Sequence, residues 1–516
     1  METPVTLAPV ATPDQAPATP SPDSLWISPA IPESLRKIAA SSGLPLVSSP
    51  DSTSARLDVL IPQSTVNYSQ SSILNSRSSS WIFALVSPFP TTTDGVSLAD
   101  IQQCWGGEPT GPFTGRPLWM DEASLAAFSA VWGAPAAGAV RVAQPDQLAD
   151  STWANRPAWA IIPFEDLDPR WKVLSVDDQS PVHNDFDQAV YPLKIVFTLQ
   201  PAAFTMPPTN RDPNKLTVLA MTGTTALARA TADRMEKKGV LYPGELIDSM
   251  LRSADITHIS NEVSFDEKCP TPDPWSLSLF FCSNPTYIAL LEDAGTDVVE
   301  LTGNHLVDFG PANFLMTLSM YDQRGWKYYG GGKNLEAALE PALLENNGNR
   351  LAFVGCDFSG PPDDWATATS PGAAPCNMDK MALEITSLGS QGYLPIMTFQ
   401  YQEYYQPNPT YEEQADFRKM AKAGAVIVSG SQGHEPATME IINGSFVHYG
   451  LGNLFFDQMF SLPTRELFVD RHIFYDGKYI NTELLTYIIE DYAQPHPMTE
   501  LERKQFLEKI FKIAGW

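Results

Sequence analysis

Three side chains that bind metals or transfer protons follow one apolar strand of the chain. After an apolar run that ends at Leu301 the sequence continues with Asn304, His305 and Asp308. Amide, imidazole and carboxylate groups are ligands for divalent metals, and the last two also act as general acids and bases. The structural alternative is that Asp308 caps the helix beginning at Pro311 and that His305 is a core histidine bonded to Asp308.

Polar side chains also follow five other predicted strands in this half of the chain. They are Gly223-Thr224, Asn261-Glu262, Gln400 with Glu403, Ser431-Gln432-Gly433-His434, and Gly452-Asn453 with Asp457. If the strands are parallel neighbours, their carboxyl ends meet at one edge of a sheet, where open α/β sheets hold their ligands. The sequence therefore predicts a functional site at that edge, although each residue taken singly is equally typical of a turn, a cap or a loop.

The elements that position these side chains predict a multidomain α/β protein. A chain of 516 residues exceeds what one hydrophobic core usually serves, so two or three domains are expected. The predicted divisions are a disordered Pro/Thr-rich tether (1–24), a smaller mixed α/β accessory domain (25–200), a Pro-rich linker (201–215) and a layered α/β domain (216–516). In the last domain, Asn443-Gly444 predicts a hairpin turn and residues 311–324 predict a helix with proline at its first position.

The net charge limits which binding partners are expected, and the cysteine spacing bears on the cellular compartment. The formal net charge is −27, which makes nucleic acid an unexpected partner, and an anionic substrate would need a local cationic patch or a metal ion. Cys269 and Cys282 flank one Pro-rich loop and Cys356 and Cys376 flank another, so we predict these two disulfides with Cys104 free. The alternative is five reduced thiols, as in a cytosolic protein.

The N-terminal tether favours an extracytoplasmic location. Residues 1–24 contain no signal-peptide or transmembrane run, and such tethers commonly follow a cleaved or lipid-anchored export signal. We therefore expect a secreted or lipid-anchored protein whose only membrane contact is that removed signal. A cytosolic protein with a disordered tail is the alternative.

Two family resemblances stand out. Within 25–200, Ile162-Pro163-Phe164, Ser180-Pro181 and Tyr191-Pro192-Leu193 are similar to the substrate-binding-protein fold of solute receptors. Residues 216 to about 458 resemble the CapA family of poly-γ-glutamate capsule proteins, which is related to calcineurin-like metallophosphoesterases. The motifs that carry this resemblance are Asn304-His305-Leu306-Val307-Asp308-Phe309-Gly310, Tyr329-Gly330-Gly331-Gly332-Lys333-Asn334 and Leu451-Gly452-Asn453-Leu454-Phe455-Phe456-Asp457-Gln458.

The CapA resemblance implies a four-layer α/β/β/α metallophosphoesterase-like fold, a divalent-metal site and a role at the cell envelope. This chain departs from the family pattern, with Gly223-Thr224 for Gly-Asp, Gln400-Tyr401 for His-Trp and Ser431-Gln432-Gly433-His434 in place of a His-rich motif. A two-metal site needs a bridging carboxylate and imidazoles, so we expect one Mn, Zn or Mg ion at most, or none. The ligand candidates are Asn261, Glu262, Asn304, His305 and His434.

Two functions stay open. One is a metal-dependent hydrolase of a phosphoester or polymer amide, with His305, Asp308 and His434 as catalytic residues. The other is a non-catalytic protein that binds an anionic polymer or an envelope glycan. The polar-aromatic run of Gln400, Tyr401 and Glu403 suits hydrogen bonding and stacking on such a polymer, and we assign substrate contacts to it and to Gln432, Asn453 and Asp457.

Overall fold

A computed structural model describes residues 22–61 and 76–516. Most of the predicted tether, residues 1–21, lies outside these ranges. The described chain packs as two compact units. The smaller comprises the described part of Met1–Trp81 with Glu122–Ala134 and Ile195–Asn210, and the larger comprises Ile82–Asp121, Pro135–Lys194 and Arg211–Trp516.

The first 200 residues contain short helices and the strands of a mixed sheet. The strands are β1 (Leu25–Ile27), β2 (Ala55–Val59), β3 (Arg77–Pro88), β4 (Gly95–Val96), β5 (Leu118–Met120), β6 (Val140–Val142), β7 (Trp159–Pro163), β8 (Trp171–Val176) and β9 (Lys194–Gln200). The helices are α1 (Glu33–Ala40), α2 (Leu98–Trp105), α3 (Glu122–Trp132) and α4 (Leu148–Ala154).

In the smaller unit, β1 runs parallel to β2, and β2 runs antiparallel to β9. Helix α1 buries Leu35 and Ala39, which recur at helical spacing. Trp81 and Phe197 pack edge to face with ring centroids 6.3 Å apart. The apolar alternation along these elements therefore gives the unit its own core.

In the larger unit, β3 pairs antiparallel with β7 and β8, while β5 lies between β7 and β6 in parallel. Every residue of β7 is buried, as expected for an unbroken apolar run covered on both faces. This sheet packs on residues of the C-terminal half: Phe164 and Tyr475 have ring centroids 4.9 Å apart, and Asn481 Nδ2 donates to the Trp171 carbonyl at 2.7 Å. Residues 82–121 and 135–194 thus group with 211–516, a division that differs from the predicted boundaries at 200 and 215 because these long-range contacts are invisible in local sequence.

The C-terminal part of the larger unit alternates strands and helices. The strands are β10 (Leu216–Thr225), β11 (Ile256–Asn261), β12 (Val298–Glu300), β13 (Lys327–Tyr329), β14 (Gly331–Gly332), β15 (Ala342–Asn346), β16 (Asn349–Asp357), β17 (Gly372–Ala373), β18 (Leu394–Gln400), β19 (Ile427–Ser431), β20 (Met439–Ile442), β21 (Ser445–His448), β22 (Asn453–Phe455), β23 (Glu466–Tyr475), β24 (Lys478–Glu490) and β25 (Gln494–Pro497). The helices are α5 (Arg229–Lys238), α6 (Asp248–Leu251), α7 (Ile288–Asp293), α8 (Pro311–Arg324), α9 (Leu335–Ala338), α10 (Met378–Ser390), α11 (Tyr411–Ala423) and α12 (Glu500–Ile513).

Two sheets stack face to face between helices, in the predicted α/β/β/α order. The first has the strand order β13-β12-β11-β10-β23-β24-β25, and the second has β15-β16-β18-β19-β21-β20. Side chains from both sheets form one core between them, including Leu219, Val298, Phe353 and Ile396. Helices α5 to α8 cover the outer face of the first sheet, and α10 and α11 cover that of the second.

Several local predictions are confirmed. Helix α8 begins at Pro311, and β20 and β21 form a hairpin through Asn443 and Gly444, both with positive φ. The disulfides Cys269–Cys282 and Cys356–Cys376 are present, and Cys104 is a buried free thiol. Within the described ranges, no helix is both long and apolar enough to cross a bilayer.

Candidate functional site

A cleft opens where parallel strands of the two stacked sheets end. Strands β10 to β13 are parallel in one sheet, and β16, β18, β19 and β21 are parallel in the other. The cleft has a volume of about 460 Å³, and the loops that follow these strands supply its walls. Its polar and aromatic lining includes Arg229, Glu262, Asn304, His305, Glu403, Tyr405, Gln432, His434, Phe456, Asp457, Gln458 and Phe460.

The close approach of Gly303 to Glu262 fixes the floor of the cleft. A β-carbon at position 303 would lie 2.4 Å from the Glu262 Cα, so only glycine allows the two loops to touch. His305 then forms a parallel bridge with Val263. This packing holds Asn304 and His305 beside the Glu262 carboxylate.

His305 is oriented by Asp308, and its second ring nitrogen remains for the cleft. The Nδ1 atom lies 2.8 Å from Asp308 Oδ2, an oxygen that also accepts the Phe281 backbone N–H at 2.7 Å. The Phe281 ring packs on the imidazole with centroids 4.4 Å apart. Burial acts to lower the pKa of His305, but the Asp308 hydrogen bond and the charges of Glu262 and Asp308 outweigh it and raise that pKa.

Two buried acids that the sequence did not single out lie behind His305. Burial and the nearby charge of Asp308 raise the pKa of Asp364 to about 7. Burial raises the pKa of Asp357 to about 6, although its carboxylate accepts hydrogen bonds from the Gly360 N–H and Trp365 Nε1 at 3.0 Å. The electrostatic environment of His305 is therefore acidic.

His434 faces the cleft in a strained backbone conformation, with φ at +50°. Its Nδ1 lies 2.7 Å from Asn453 Oδ1, and its ring stacks on Phe456 with centroids 4.9 Å apart. Asn453 is fully buried and also donates to the His434 and Thr464 carbonyls at 3.2 and 3.1 Å. The predicted substrate contact of Asn453 is thus replaced by a positioning role, because its amide is used up in holding His434.

The Gln400 amide lies at the centre of a cluster of oxygens. Its Nε2 donates to Asn304 Oδ1 at 3.1 Å, to Glu262 Oε2 at 3.4 Å and to Gln432 Oε1 through a short contact. Its Oε1 accepts the Ser431 hydroxyl at 2.6 Å. A neutral amide group therefore donates to oxygens that could otherwise bind a cation.

Asp457 is paired rather than free to contact a ligand. Both of its carboxylate oxygens accept from the Arg229 guanidinium, with Nε to Oδ2 at 3.1 Å, and Oδ2 also accepts the Ala230 N–H at 2.9 Å. Arg229 stacks over the rings of Phe281 and Phe456 at 4.7 and 5.3 Å. No sequence pattern pointed to Arg229, which begins α5 with φ at +45°.

Two predicted site residues point away from the cleft. Tyr401 is 1% exposed, stacks on Phe358 with centroids 4.3 Å apart and donates to Asp416 Oδ2 at 2.9 Å, so the prediction that it binds substrate is wrong. Asn261 is also buried and donates to the Val263 carbonyl and to Tyr321 Oη. It is not among the residues that line the cleft, and its Oδ1 has no hydrogen-bond partner within the described residues.

The side chains present do not fit a metal centre of the expected kind. In the chain from 22 to 61 and from 76 onward, no three His, Cys, Asp or Glu side chains are placed to hold a metal ion together. Thr224, near the end of β10, stands where we expect the bridging carboxylate of a two-metal site, and its buried hydroxyl has no hydrogen-bond partner among the described residues. Three donors of the predicted set remain, namely Glu262, His305 and His434. The amides of Gln400, Asn304 and Gln432 lie among them and are already hydrogen-bonded to one another.

The central part of the chain is similar to a known protein family. Residues 218–458 match the family model described as the bacterial capsule synthesis protein PGA_cap. This match confirms the predicted CapA resemblance.

Individual relatives are capsule proteins. The chain is 22% identical over 313 residues to the capsule biosynthesis protein CapA of Bacillus anthracis, covering 59% of this chain and 75% of the relative. It is 23% identical over 246 residues to the PGA biosynthesis protein CapA of Bacillus subtilis (strain 168), covering 47% of this chain and 64% of the relative. Among solved structures, a 5'-nucleotidase precursor from Thermus thermophilus has a TM-score of 0.32 and 12% identity, covering 58% of this chain and 59% of that chain.

Proposed function

We propose that this protein acts outside the cytoplasm in the biosynthesis of a capsular polymer of the poly-γ-glutamate class, and that its cleft holds a segment of the polymer without a resident metal. The family assignment of residues 218–458 and the names of the relatives support the polymer class. The two disulfides support an oxidising compartment.

The observation that carries the proposal is the position of the Gln400 amide. Its hydrogen bonds to Asn304 and Glu262 give these oxygens a donor, a role that a bound cation could otherwise fill. The remaining cleft surface offers amide groups, as on Gln432 and Gln458, and the half-exposed ring of Tyr405. Amides recognise the amide groups of a γ-glutamyl backbone by paired hydrogen bonds, and aromatic rings pack on its methylene groups.

The charge of the cleft sets the orientation of such a polymer. Glu262 and Glu403 repel polymer carboxylates, whereas Asp457 is already balanced by Arg229. The carboxylates are therefore expected to face solvent or His305, whose pKa is raised, with the amide backbone inside the cleft. An uncharged envelope glycan meets no such repulsion and is the alternative ligand.

A hydrolase is the second candidate, favoured by the two imidazoles. Because Nδ1 of His305 is bonded to Asp308 and Nδ1 of His434 to Asn453, both rings have Nε2 left for a substrate. His305, which Asp308 orients, would act as the general acid, and His434 as the general base toward water. This chemistry uses only side chains of the cleft.

The test is calorimetric titration of the full chain with a defined γ-glutamyl oligomer and, in a separate arm, with a neutral oligosaccharide. Tyr405→Ala removes an aromatic wall and should weaken binding about tenfold, whereas Tyr411→Ala, an 88% exposed tyrosine outside the cleft, should leave it unchanged. Absence of binding in both arms, or equal effects of the two substitutions, would overturn the proposal. Mass spectrometry of the incubated oligomer detects cleavage, and cleavage lost in His305→Ala would establish the second candidate.

A further inference from the structure

A second cavity lies in the larger unit, between β8 and the segment after it on one side and β23, β24 and α12 on the other. Its volume is about 350 Å³, within the range of small-molecule sites. The cleft described above uses none of the residues that line it. Any ligand there would therefore belong to a separate site.

The walls of this cavity are apolar and its polar groups are charged. Its apolar residues include Phe89, Val173, Leu484, Leu507 and Phe511. Mostly apolar walls with a few convergent polar groups are typical of sites for small organic molecules.

The charged groups leave one surplus positive charge. Three cations (Lys172, Arg471, Arg503) and two anions (Asp94, Glu483) line the cavity, which gives a net charge of +1 with His183 neutral. Burial acts to raise the pKa of Asp94, but Arg503 and Lys172 outweigh it and hold that pKa at about 2, so its carboxylate is ionised at neutral pH. A local excess of positive charge stands out in a chain of net charge −27.

Two residues that line the cavity carry a hydrogen-bond donor without a partner in the described part of the chain. Ser180 is 2% exposed, and its buried hydroxyl bonds nothing within the described residues. Arg471 uses Nε and Nη2 on Glu483 and His183, and its Nη1 donates to no atom of the described chain. A buried hydroxyl without a partner costs free energy that a ligand acceptor would recover.

The position of Ser180 is fixed rather than accidental. The His183 N–H donates to the Ser180 carbonyl at 3.1 Å, which closes a turn. Arg211 Nε donates to the Pro181 carbonyl at 3.0 Å and its Nη2 to the His183 carbonyl at 2.7 Å. The hydrogen bonds from Arg211 therefore fix the turn, and the Ser180 hydroxyl stays at the cavity wall.

We propose that this cavity binds a small organic monocarboxylate with an apolar body, its carboxylate accepting from Ser180 Oγ and Arg471 Nη1. A single negative charge matches the surplus cation, and the apolar residues receive the rest of the molecule. A dianion such as inorganic phosphate would exceed the available charge and leave the apolar walls uncovered.

The experiment titrates the full-length protein with hexanoate and 3-phenylpropanoate, with hexanamide and inorganic phosphate as comparison probes. The carboxylates should bind at least about tenfold more tightly than the amide and the phosphate. Absence of carboxylate binding at millimolar concentrations, or equal affinity for hexanamide, would contradict the proposal.

Three variants locate the site. Ser180→Ala should weaken hexanoate binding about tenfold without lowering stability, because the hydroxyl has no partner to lose. Ser175→Ala, which removes another hydroxyl of the same cavity that is engaged with the Asp94 carbonyl at 3.4 Å, should leave binding unchanged. Leu507→Trp should fill the cavity and abolish binding. Unchanged binding in Ser180→Ala, or in a folded Leu507→Trp protein, would overturn the assignment.

Discussion

The Gln400 Nε2 atom donates to Asn304 Oδ1 at 3.1 Å and, on its other side, to the carboxylate of Glu262 at 3.4 Å. This links the loops that follow three different strands, β18, β12 and β11, through one neutral amide. The CapA resemblance leads us to expect His-Trp at this position, and Gln400 supplies an internal hydrogen-bond donor there instead of an imidazole. The metal-free cleft proposed above follows from that change.

Loss of the Gln400 amide should destabilise the protein. Gln400→Ala leaves Glu262, Asn304 and Gln432 without their shared donor in a buried place, which costs roughly 1–3 kcal/mol of unfolding free energy. Urea denaturation measures this change. Gln406→Ala, an exposed glutamine in the following loop, is the matched control and should have no effect. Equal stability of the two variants would show that the amide network does not hold the loops.

Restoring an imidazole at position 400 should create a metal site. Gln400→His places a third ring beside His305 and His434, with the Glu262 carboxylate available, a donor set that suits Zn²⁺ or Mn²⁺. After incubation with the metal and desalting, elemental analysis should find metal on the variant and none on the wild-type protein. A wild-type protein that retained stoichiometric metal lost in His305→Ala would contradict the role assigned to Gln400.

Asp308 should control the protonation of His305. Because the Asp308 hydrogen bond raises the pKa of His305 against the effect of burial, Asp308→Asn should lower that pKa. A basic group whose pKa is higher in the folded than in the unfolded state adds to the unfolding free energy at low pH. This contribution disappears as the pH rises through the folded pKa. The difference in unfolding free energy between wild type and Asp308→Asn should therefore decrease with rising pH.

The measurement is NMR titration of the histidine ring protons with urea denaturation across the same pH range. Asp185→Asn removes a 93% exposed carboxylate 3.8 Å from another histidine, His183, and serves as the control. A His305 pKa that is the same in wild type and Asp308→Asn would show that the 2.8 Å contact has no electrostatic effect.

Buried neutral histidines between the sheets should make the protein sensitive to acid. Burial lowers the pKa of His258 to about 3 and that of His472 to about 4. Because their folded pKa values lie below the unfolded ones, their stabilising effect is present above the unfolded pKa and is lost as pH falls. We expect the unfolding free energy to fall by roughly several kcal/mol between about pH 6 and pH 4. In His258→Gln the unfolding free energy should depend less steeply on pH. An unchanged slope in that variant would contradict the assignment.

The two disulfides should differ in their effects: both stabilise the fold, but only Cys269–Cys282 should also affect oligomer binding in the cleft. The Cys356–Cys376 bridge closes 20 residues and ties β16 to the segment before α10, so replacing both cysteines by serine should cost about 3 kcal/mol. The loop closed by Cys269–Cys282 supplies Leu279 and Phe281 to the cleft wall, so its removal should also weaken oligomer binding. Denaturation and titration of the two double variants separate the effects. If both leave oligomer binding unchanged, the loop is not part of the ligand site.

Sequence patterns predicted the sheet edge and its loops, but not which of two neighbouring side chains faces the cleft. Gln400 ends β18 and donates to the cleft residues Glu262 and Asn304, whereas Tyr401, the next residue, packs on Phe358 and donates to Asp416. Likewise Glu262 lines the cleft and its neighbour Asn261 does not. The sequence does not show which member of each pair lies at the cleft, because the packing partners of a strand set its register.

Other features depend on tertiary contacts that no local pattern reveals. Arg229 becomes part of the cleft through its pairing with Asp457, which lies 228 residues away, and Asp364 through its burial behind His305. The cysteine pairs were predictable because each flanks one loop. The four-layer arrangement was predictable because ordered motifs across residues 216–458 match one family.

The most direct test of the central claim is calorimetric titration of the γ-glutamyl oligomer in the presence of EDTA and again with Mn²⁺ added in excess. If the Gln400 amide has replaced the metal, the dissociation constant should be the same within about twofold in the two conditions. Binding that disappears in EDTA and returns with Mn²⁺ would contradict the account.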